Sequence, residues 1–439
     1  MSDSRTNFYA QRLSRLIQAE TVSIDNQTDK TKFYKLQEIL REMFPNIFSL
    51  CDYEDFDGSF LMRWKGVDSS EPVMLMNHHD VVEAPGKWKH PAFSGEISEN
   101  KIWGRGTLDN KGGLWAMLQA ADELAADGFV PKHDIFFVST CNEETSGSGA
   151  DSISNELLKR NIHFSMVLDE GGMIVDEPIA NAKGLFAMVG LGEKGCADIK
   201  FIARSSGGHA SAPQKNSPLV RLGKFMAAVE KINIFKAELS PTVCAMFKAV
   251  SSSMKGPVKL FLGHPRLFGF LLVKAIPIIS STAAAMLKTT IAFTMACGSE
   301  GTNVMPQEAY VIGNMRYSHH QGKKASIEAI TKLAKKFDIE TVILSDGFSS
   351  PMSDYNSKAF KLIEKAINEI YPNVKVSPYL PTGASDSRFM SRVCENCLRF
   401  SPFIIDNEQL KSVHAINENV NISSLSTAVD FYRHIMQEA

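Results

Sequence analysis

Apolar residues recur along the first half of the chain at spacings that alternate between those of helices and those of strands. Between residues 8 and 44 they recur at helical spacing, which predicts helix. Short, continuous apolar runs predict buried strands at 73–76, 134–140 and 165–168. Helical spacing between these runs predicts helices at 112–126 and 151–160. Strands that alternate with helices indicate an α/β fold, with a mostly parallel sheet and helices on both of its faces.

The pattern changes after residue 192. Residues 197–203 alternate polar and apolar side chains, which is typical of a strand with one face open to water. The segments that follow predict helix, two strands, helix and strand, which is the order of a separate α+β unit. We therefore expect one domain formed by residues 1–192 and 349–439, into which residues 193–348 are inserted as a second domain.

Composition and charge are those of an ordinary globular protein. Of the 439 residues, 44% are hydrophobic and 22% are charged, which excludes a wholly disordered chain. Lys and Arg number 47 against 49 Asp and Glu, so the formal net charge is −2. Because there is no basic excess to hold a phosphate backbone, we expect no nucleic-acid partner.

The most apolar stretch of the chain, residues 267–287, is too short to predict a transmembrane helix. Lys274 and Pro277 interrupt it, and the uncharged part after Lys274 has 13 residues. A helix needs about 20 apolar residues to cross a bilayer. We therefore expect a buried helical segment here and no membrane partner. The polar residues 1–20 do not resemble a secretion signal.

The cysteines favour a reducing compartment. Seven of them at irregular spacing argue against a disulfide framework and predict free thiols and a cytoplasmic location. Cys394 and Cys397 form the one pair whose spacing suits redox chemistry or metal binding. No second pair or histidine set completes a zinc site there, so ordinary buried thiols are the favoured interpretation.

Acidic and imidazole side chains follow each of the three predicted buried strands. They are His78, Asp80, Glu143, Glu144 and Asp169. In open α/β sheets, sites gather at the carboxyl ends of the strands, so we expect these side chains to lie at one edge of the sheet.

Two further segments carry residues of the same chemical types. The glycine-rich residues 103–113 place Asp109 at the start of a predicted helix, and His414 lies near the C-terminus. Any one such residue is most often a solvated cap. Together, two histidines and three carboxylates supply the nitrogen and oxygen ligands that zinc prefers, and this set predicts a metal site.

This ordered set resembles the co-catalytic zinc family of carboxypeptidase G, carboxypeptidase S, aminoacylase, acetylornithine deacetylase and succinyl-diaminopimelate desuccinylase. The resemblance runs from about residue 70 to about residue 420, and its most specific parts are residues 103–113 and the pair Glu143-Glu144. The apolar segment before Thr289 and residues 302–306 look most like the carboxypeptidase S branch. The resemblance implies a zinc exopeptidase-like catalytic domain with an inserted lid and dimerisation domain.

The resemblance also implies how two Zn²⁺ ions would be held in each subunit. His78 and Asp169 would bind one ion, Glu144 and His414 the other, and Asp109 would bridge them. Four positive charges against three carboxylates leave one charge for a hydroxide, and such a pair of ions lowers the pKa of a shared water to about 7. Co²⁺ or Mn²⁺ could substitute. The family also has a cis peptide after the bridging aspartate, which predicts one between Asp109 and Asn110.

Two departures from the family pattern concern the first histidine. Asn77 stands where the family commonly has glycine, and His79 adds a second imidazole that could replace its neighbour. We favour His78, because it keeps the two-residue spacing to Asp80.

The catalytic roles are likewise implied by the resemblance. Glu143 would be the general base, and Asp80 would orient the imidazole of His78. His209, within the lid segment 207–213, would donate to the substrate carbonyl oxygen, and in the family this histidine often comes from the other subunit of a dimer.

The substrate-binding residues expected from the resemblance lie in the lid and in a late loop. Asn303 and Arg316 would grip the substrate, and the fork of Arg316 suits a free carboxylate, although a salt bridge on the strand face is the alternative. Gly383 lies in the loop 381–388 that would line the pocket. The lid is longer than the minimal family version, which leaves the expected homodimer through this domain open.

The function expected from the resemblance is hydrolysis of a peptide bond next to a free carboxylate, by a carboxypeptidase or dipeptidase. An N-acyl-amino-acid deacylase is the alternative on the same residues, so the expected substrate is a small peptide or an N-acyl amino acid. Remote alternatives are an inactive binding protein and a thiol-redox protein that uses Cys394 and Cys397.

Overall fold

The structure is a computed structural model that describes residues 2–145, 147–279, 281–347, 349–381 and 383–439. Its helices in chain order are α1 (Ser2–Ile17), α2 (Thr31–Met43), α3 (Pro45–Leu50), α4 (Lys111–Ala126), α5 (Ser148–Lys159), α6 (Pro218–Lys231), α7 (Pro241–Ser251), α8 (Gly256–Gly263), α9 (Pro265–Ile279), α10 (Ser281–Leu287), α11 (Gly322–Lys335), α12 (Lys358–Ile370), α13 (Ser387–Met390), α14 (Asn407–Ser412) and α15 (Ser423–Glu438).

The strands are β1 (Cys51–Phe56), β2 (Ser59–Trp64), β3 (Asp68–His78), β4 (Glu96–Ser98), β5 (Lys101–Trp103), β6 (His133–Thr140), β7 (Met166–Asp169), β8 (Ile174–Asp176), β9 (Leu185–Gly190), β10 (Gly195–Arg204), β11 (Gly208–His209), β12 (Thr290–Cys297), β13 (Val304–Met305), β14 (Glu308–Tyr317), β15 (Glu340–Asp346), β16 (Lys375–Tyr379), β17 (Cys397–Arg399), β18 (Ile404–Ile405) and β19 (Asn419–Asn421). They form two main sheets, one of ten strands and one of four.

The large sheet has the strand order β1-β2-β6-β3-β7-β17-β9-β8-β18, with β16 beside β9. Its central neighbours β6-β3, β3-β7 and β7-β17 are parallel. Along β3, Val73 and Leu75 face one hydrophobic cluster, and Met74 and Met76 face another. Because both faces of the strand are buried, its apolar run is continuous. The expected α/β fold with a mostly parallel sheet covered on both faces is therefore confirmed.

The four-stranded sheet, in the order β12-β14-β10-β15, is antiparallel. Ala197, Ile199 and Phe201 on β10 point into a cluster that also includes residues of α6 and α11. The intervening positions of β10 are only partly buried, which is why the sequence alternates there. All four strands fall between residues 193 and 348. The boundaries of the two expected domains stay predictions.

Two predicted helical segments differ from the structure. The segment 8–44 contains two helices, α1 and α2, separated by residues 18–30, where Val22 makes an isolated bridge to Val81. The segment 267–287 was expected to be buried. Residues 267–279 and 281–287 are helical, but Leu267 and Ile278 are largely exposed, because other elements cover only the opposite side of α9.

Within the described residues, no single helix is long and apolar enough to cross a membrane. The helices α8 and α9, which meet at 111°, reach that length and composition only as a pair.

A buried ion pair joins the places where the chain passes between the two sheets. Arg399, at the end of β17, donates from Nε to Oε1 of Glu193 at 2.6 Å. Glu193 lies just before β10, and its amide donates to Oγ of Ser350 at 3.1 Å, on the chain segment that returns after β15. Both side chains of the ion pair are almost completely buried. The pair therefore holds both of the chain segments that connect the two sheets against the large sheet.

We predict that Glu193→Leu lowers the free energy of unfolding by about 3–5 kcal/mol, because it leaves the Arg399 guanidinium buried and unpaired. The double variant Glu193→Leu/Arg399→Met should recover a large part of the loss. Urea denaturation measures both. The matched control is Glu54→Leu at the exposed Arg160–Glu54 pair, which should lose at most about 1 kcal/mol. Equal losses at the two pairs would contradict a structural role for the buried one.

Candidate metal centre

The carboxyl ends of three adjacent parallel strands bring the expected site residues to one edge of the large sheet. His78 ends β3 and is paired in register with Thr140 at the end of β6, and Glu143 and Glu144 follow that strand. Asp169 ends β7, on the other side of β3. Parallel strands that lie side by side end on the same side of a sheet, so the spacing of these residues in the sequence becomes proximity in space.

Asp109 lies between two imidazoles. Its Oδ1 is 2.9 Å from Nε2 of His78, and its Oδ2 is 2.9 Å from Nε2 of His414. His414 Nε2 is also 3.1 Å from Oε2 of Glu144. The ligand atoms of His78, Asp109 and Glu144 all lie within 4.8 Å of one another. The structure thus joins four of the five expected ligands, with one oxygen of Asp109 facing each histidine.

The peptide bond between Asp109 and Asn110 is cis, as predicted. The backbone that leads to it is held by a residue to which the sequence analysis assigned no role, Glu418. Oε1 of this fully buried carboxylate accepts from the amides of Leu108 and Asp109, at 2.8 and 3.1 Å. Its Oε2 accepts from Nη1 of Arg105 at 2.8 Å. Glu418 therefore positions the loop that carries Asp109, and the only sequence signal for it was its place in the same short segment as His414.

Asp80 organises the site in a different way from the one expected. Nδ1 of His78 donates to the backbone carbonyl of Asp80 at 3.0 Å, and the Asp80 carboxylate is farther from it, at 3.4 Å. That carboxylate accepts from the amides of Glu143 and Glu144, at 3.2 and 3.1 Å, and from the hydroxyl of Ser23 at 2.6 Å. One residue therefore fixes both the imidazole and the turn with the two glutamates. Because Nδ1 donates to this carbonyl, a metal ion bound by His78 would replace the proton on Nε2, the nitrogen that faces Asp109.

His79, the alternative to His78, points away from this edge. It is fully buried, its Nδ1 lies 2.7 Å from Oγ of Ser139, and its ring stacks on Phe60. Burial lowers the pKa of His79 to about 3, so it remains neutral. Of the two neighbouring histidines, only His78 contacts Asp109.

Asp169, the fifth expected ligand, is held at the same edge by backbone amides. Its Oδ2 accepts from the amide of Ser387 at 2.7 Å, and its Oδ1 accepts from that of Glu170 at 2.9 Å. In the part of the chain that the structure describes, it makes no hydrogen bond or ion pair with the other four expected ligands. Ser387 follows Asp386, whose Oδ2 accepts from Thr140 at 2.6 Å.

The site brings together acidic side chains that are at least partly shielded from water. Burial raises the pKa values of the Glu143, Glu144 and Glu170 carboxyls, and it raises that of Asp386 to about 7. Sequence reasoning missed Glu170 as a member of this group, although it adjoins Asp169. So many buried acids need positive charge nearby, and the two histidines supply only part of it.

The two histidines offset part of this charge through hydrogen bonds to the acids. Hydrogen bonds to Asp109 and Glu144 raise the pKa of His414 to about 10. Burial by itself would raise the pKa of Asp109, but the hydrogen bonds from His414 and His78 lower it overall. Oε1 of Glu144 is buried and has no hydrogen-bond partner among the described residues. This orphaned oxygen and the mixed imidazole and carboxylate donors fit divalent metal ions.

The expected lid residues lie apart from this cluster. His209 is exposed on the short strand β11, paired with Val304, and its Nδ1 is 2.6 Å from Oγ of Ser211. Asn303 is exposed on the neighbouring loop, where its carbonyl accepts from the amide of Ala210. No contact between these residues and the four joined ligands occurs within the described chain.

The two remaining expected substrate residues are also separate from the joined ligands. Arg316 is half-buried on β14 and donates from Nε to the side chain of Asn314 at 3.0 Å. Its bond is to an amide, and it forms no salt bridge with a carboxylate among the described residues. Gly383 is an exposed loop residue.

A pocket of about 500 Å³ opens beside the cluster, and Asp109, Glu170 and His414 form part of its wall. Most of the remaining lining is apolar and comes from Met173, Val175, Ile179, Met188, Met246, Met286, Leu410 and Val413. No Lys or Arg is among its lining residues in the described chain. Two exposed acids, Asp176 and Glu177, complete the charged part of the lining. The pocket therefore suits an apolar group rather than an anionic one, placed next to the candidate metal centre.

The sequence matches the profile of the peptidase family M20/M25/M40 over residues 74–438. It is 30% identical over 440 residues to the probable carboxypeptidase S-like 2 of Dictyostelium discoideum, which covers 98% of this chain and 84% of that protein. It is 29% identical over 436 residues to the human N-fatty-acyl-amino acid synthase/hydrolase PM20D1, which covers 97% of this chain and 87% of that protein.

Two solved structures share the fold at low sequence identity. The M20 family metallo-carboxypeptidase Sso-CP2 from Sulfolobus solfataricus superposes with a TM-score of 0.73 at 18% identity, over 98% of each chain. Human carnosine dipeptidase 1 superposes with a TM-score of 0.68 at 14% identity, over 99% of this chain and 96% of that one.

We predict that Glu418→Gln weakens zinc binding by about 10- to 100-fold, the usual effect of losing a residue that supports metal ligands. The amide keeps the size of the side chain but lacks the charge that holds Arg105 and the backbone before Asp109. Competition with a chelator of known affinity measures the change. Glu408→Gln, an exposed glutamate on α14, is the matched control and should bind zinc as the unmodified protein does. Equal affinities for the two variants would remove Glu418 from this role.

Proposed function

The chain belongs to the peptidase family M20/M25/M40 and is a hydrolase, and on this premise we propose that it cleaves an amide bond next to a free carboxylate with the help of two zinc ions. The observation that carries the proposal is the position of Asp109, one of whose oxygens faces His78 and the other His414. A carboxylate placed in this way is suited to join two cations.

We assign the metal ligands as the resemblance implies. His78 and Asp169 would hold one ion, Glu144 and His414 the other, and Asp109 would bridge them, with Co²⁺ or Mn²⁺ as substitutes. When bound, such a pair of ions polarises the amide carbonyl and activates water near neutral pH. The buried acids around the cluster support this assignment, since bound cations would neutralise them.

Glu143 is assigned as the general base. Glu143 adjoins the ligand Glu144, and the Asp80 carboxylate accepts from the amides of both. Burial raises the pKa of Glu143, which favours acceptance of a proton from water. In the proposed reaction Glu143 takes that proton and passes it to the leaving nitrogen.

The lid supplies the remaining groups. His209 would donate to the carbonyl oxygen of the substrate, Arg316 would bind its free carboxylate, and Asn303 and Gly383 would complete the pocket. We include the homodimer through residues 193–348 in the proposal, because His209 is exposed and contacts none of the joined ligands within its own chain.

The substrate is proposed from the pocket. A peptide with an apolar residue before the cleaved bond and an N-acyl amino acid with a long apolar acyl group both match its lining. The first would make the protein a dipeptidase or a carboxypeptidase, and the name of the Dictyostelium relative suggests the latter. The second would make it a deacylase, as the name of the human relative suggests. The absence of Lys and Arg from the described lining favours the apolar group over an anionic one.

We predict that Glu143→Gln retains two zinc ions per chain and loses about 10²- to 10⁴-fold in kcat, the usual range for general acid–base catalysis. Metal analysis and steady-state kinetics measure the two quantities. Fewer than two equivalents of zinc in the unmodified protein at saturation would favour an inactive binding protein. The control is Cys394→Ser/Cys397→Ser, which should keep full activity because both thiols are free and buried away from the pocket lining. Loss of activity there, with indifference to a chelator, would favour thiol chemistry.

A second prediction concerns Met286, a half-buried residue of α10 in the pocket wall. Met286→Lys should lower kcat/KM by at least about 10-fold for an N-oleoyl amino acid and much less for its N-acetyl counterpart, because a charge then lies where the acyl chain would pack. Met295→Lys, an exposed residue of β12, is the matched control. A blocked dipeptide with an apolar residue tests the peptidase alternative alongside. Equal effects on the long and the short acyl group would contradict an acyl-binding role for the pocket.

A further inference from the structure

Helix α9 presents an apolar face to solvent. Leu267, Phe270, Leu271 and Ile278 are 69%, 67%, 43% and 86% exposed. They occupy positions i, i+3, i+4 and i+11 of one helix, so they lie on one side of it. Lys274, seven residues after Leu267, lies on the same side of the helix. Solvated helices of globular proteins normally carry charged or polar residues on this side, so the face requires an explanation.

The opposite side of α9 is anchored. Leu272 and Ile276 are buried in a hydrophobic cluster with Met246 and Val250 of α7 and with Phe186 of the large sheet. The helix is therefore fixed in place, and its apolar outer face is not a result of loose packing. Val258 and Leu260 on the preceding helix α8 extend the exposed apolar surface, at 49% and 53% exposure.

The segment that forms this face carries positive charge only, and the one acid that shares a surface cavity with Arg266 and Leu267 in the described chain is Glu364 of α12, beside Lys361. Residues 239–299 contain no Asp or Glu, although the whole chain has a net charge of −2. The basic residues of this segment are Lys248, Lys255, Lys259, Arg266, Lys274 and Lys288. Four of them, on or directly before α8 and α9, are exposed: Lys255, Lys259, Arg266 and Lys274. None of these four forms a salt bridge with a described carboxylate.

We propose that the exposed face of α8 and α9 binds the surface of a bilayer that contains anionic lipid. Large apolar side chains on one side of a helix, flanked by lysine and arginine without acids, are the combination that enters the boundary between headgroups and acyl chains. A second copy of the chain, docked symmetrically on the same face, would bring these unpaired cations against each other. The inference goes beyond the proposed hydrolysis and replaces the expectation of no membrane partner.

The test is co-sedimentation of the full-length protein with vesicles of phosphatidylcholine, with and without added phosphatidylserine. We expect binding at least about 10-fold tighter to the anionic vesicles, weakened by added salt, because each basic residue near an anionic surface adds to the affinity and salt screens this attraction. Equal binding to both vesicles, or no binding to either, would overturn the proposal. The experiment needs no catalysis, so its result is independent of the proposed hydrolysis.

Two variants separate the contributions of the face. Leu267→Ser/Phe270→Ser/Ile278→Ser and Lys255→Gln/Lys259→Gln/Arg266→Gln/Lys274→Gln should each lower binding to anionic vesicles by at least about 10-fold. All the changed residues are exposed, so the fold should tolerate them.

The matched controls lie elsewhere on the surface. Val67→Ser/Val130→Ser removes exposed apolar side chains, and Lys332→Gln/Lys335→Gln/Lys336→Gln removes exposed cations. Both should bind anionic vesicles as the unmodified protein does, and a loss as large as that of the face variants would overturn the proposal. Molar mass from light scattering without lipid completes the test. If Leu267→Ser/Phe270→Ser/Ile278→Ser turned a dimer into a monomer while vesicle binding stayed the same, the face would be a contact between copies of the chain.

Discussion

The need to compensate buried negative charge is the constraint on which this structure depends. Acids from separate elements meet where burial disfavours their charged forms, so each requires a hydrogen-bond donor or a cation. Asp109 obtains both from His78 and His414, while an oxygen of Glu144 finds no partner among the described residues. The proposed zinc ions are the partners for which this arrangement is suited.

Two further buried carboxylates build the frame of the site. Glu418 holds the backbone in front of Asp109, and Asp80 holds the turn of Glu143 and Glu144. Each accepts from two or more backbone amides, which leaves these loops few alternative conformations. Precision in the candidate metal centre therefore depends on residues that need not touch a metal ion. Such support is typical of metal sites, in which the surrounding hydrogen bonds orient the ligands.

A chain of contacts joins this edge of the sheet to the crossings between the two sheets. Glu193 accepts from Arg399 and from the hydroxyl of Ser385. Ser385 contacts Ser387, whose amide donates to Asp169. The loop that carries Gly383 thus lies between the inserted segment and an expected metal ligand. The four helices α7 to α10 of that segment contribute to two separate surfaces. Met246 and Met286 line the pocket, and α9 exposes the apolar face to solvent.

The sequence by itself determined the alternation of strands and helices, the acids and imidazoles at the strand ends, and the cis peptide after Asp109. The first two features depend on local spacing, and parallel strands bring their ends together whatever else the fold contains. The cis peptide was implied by the family resemblance. Only the tertiary structure decided that Glu418 supports Asp109, because the two residues are 309 positions apart in the chain. It also decided that His79 turns inward, that a segment of irregular structure separates α1 from α2, and that one side of the apolar α9 faces solvent. An apolar pattern records which residues avoid water in general, whereas the elements that pack against a helix decide which of its faces is covered.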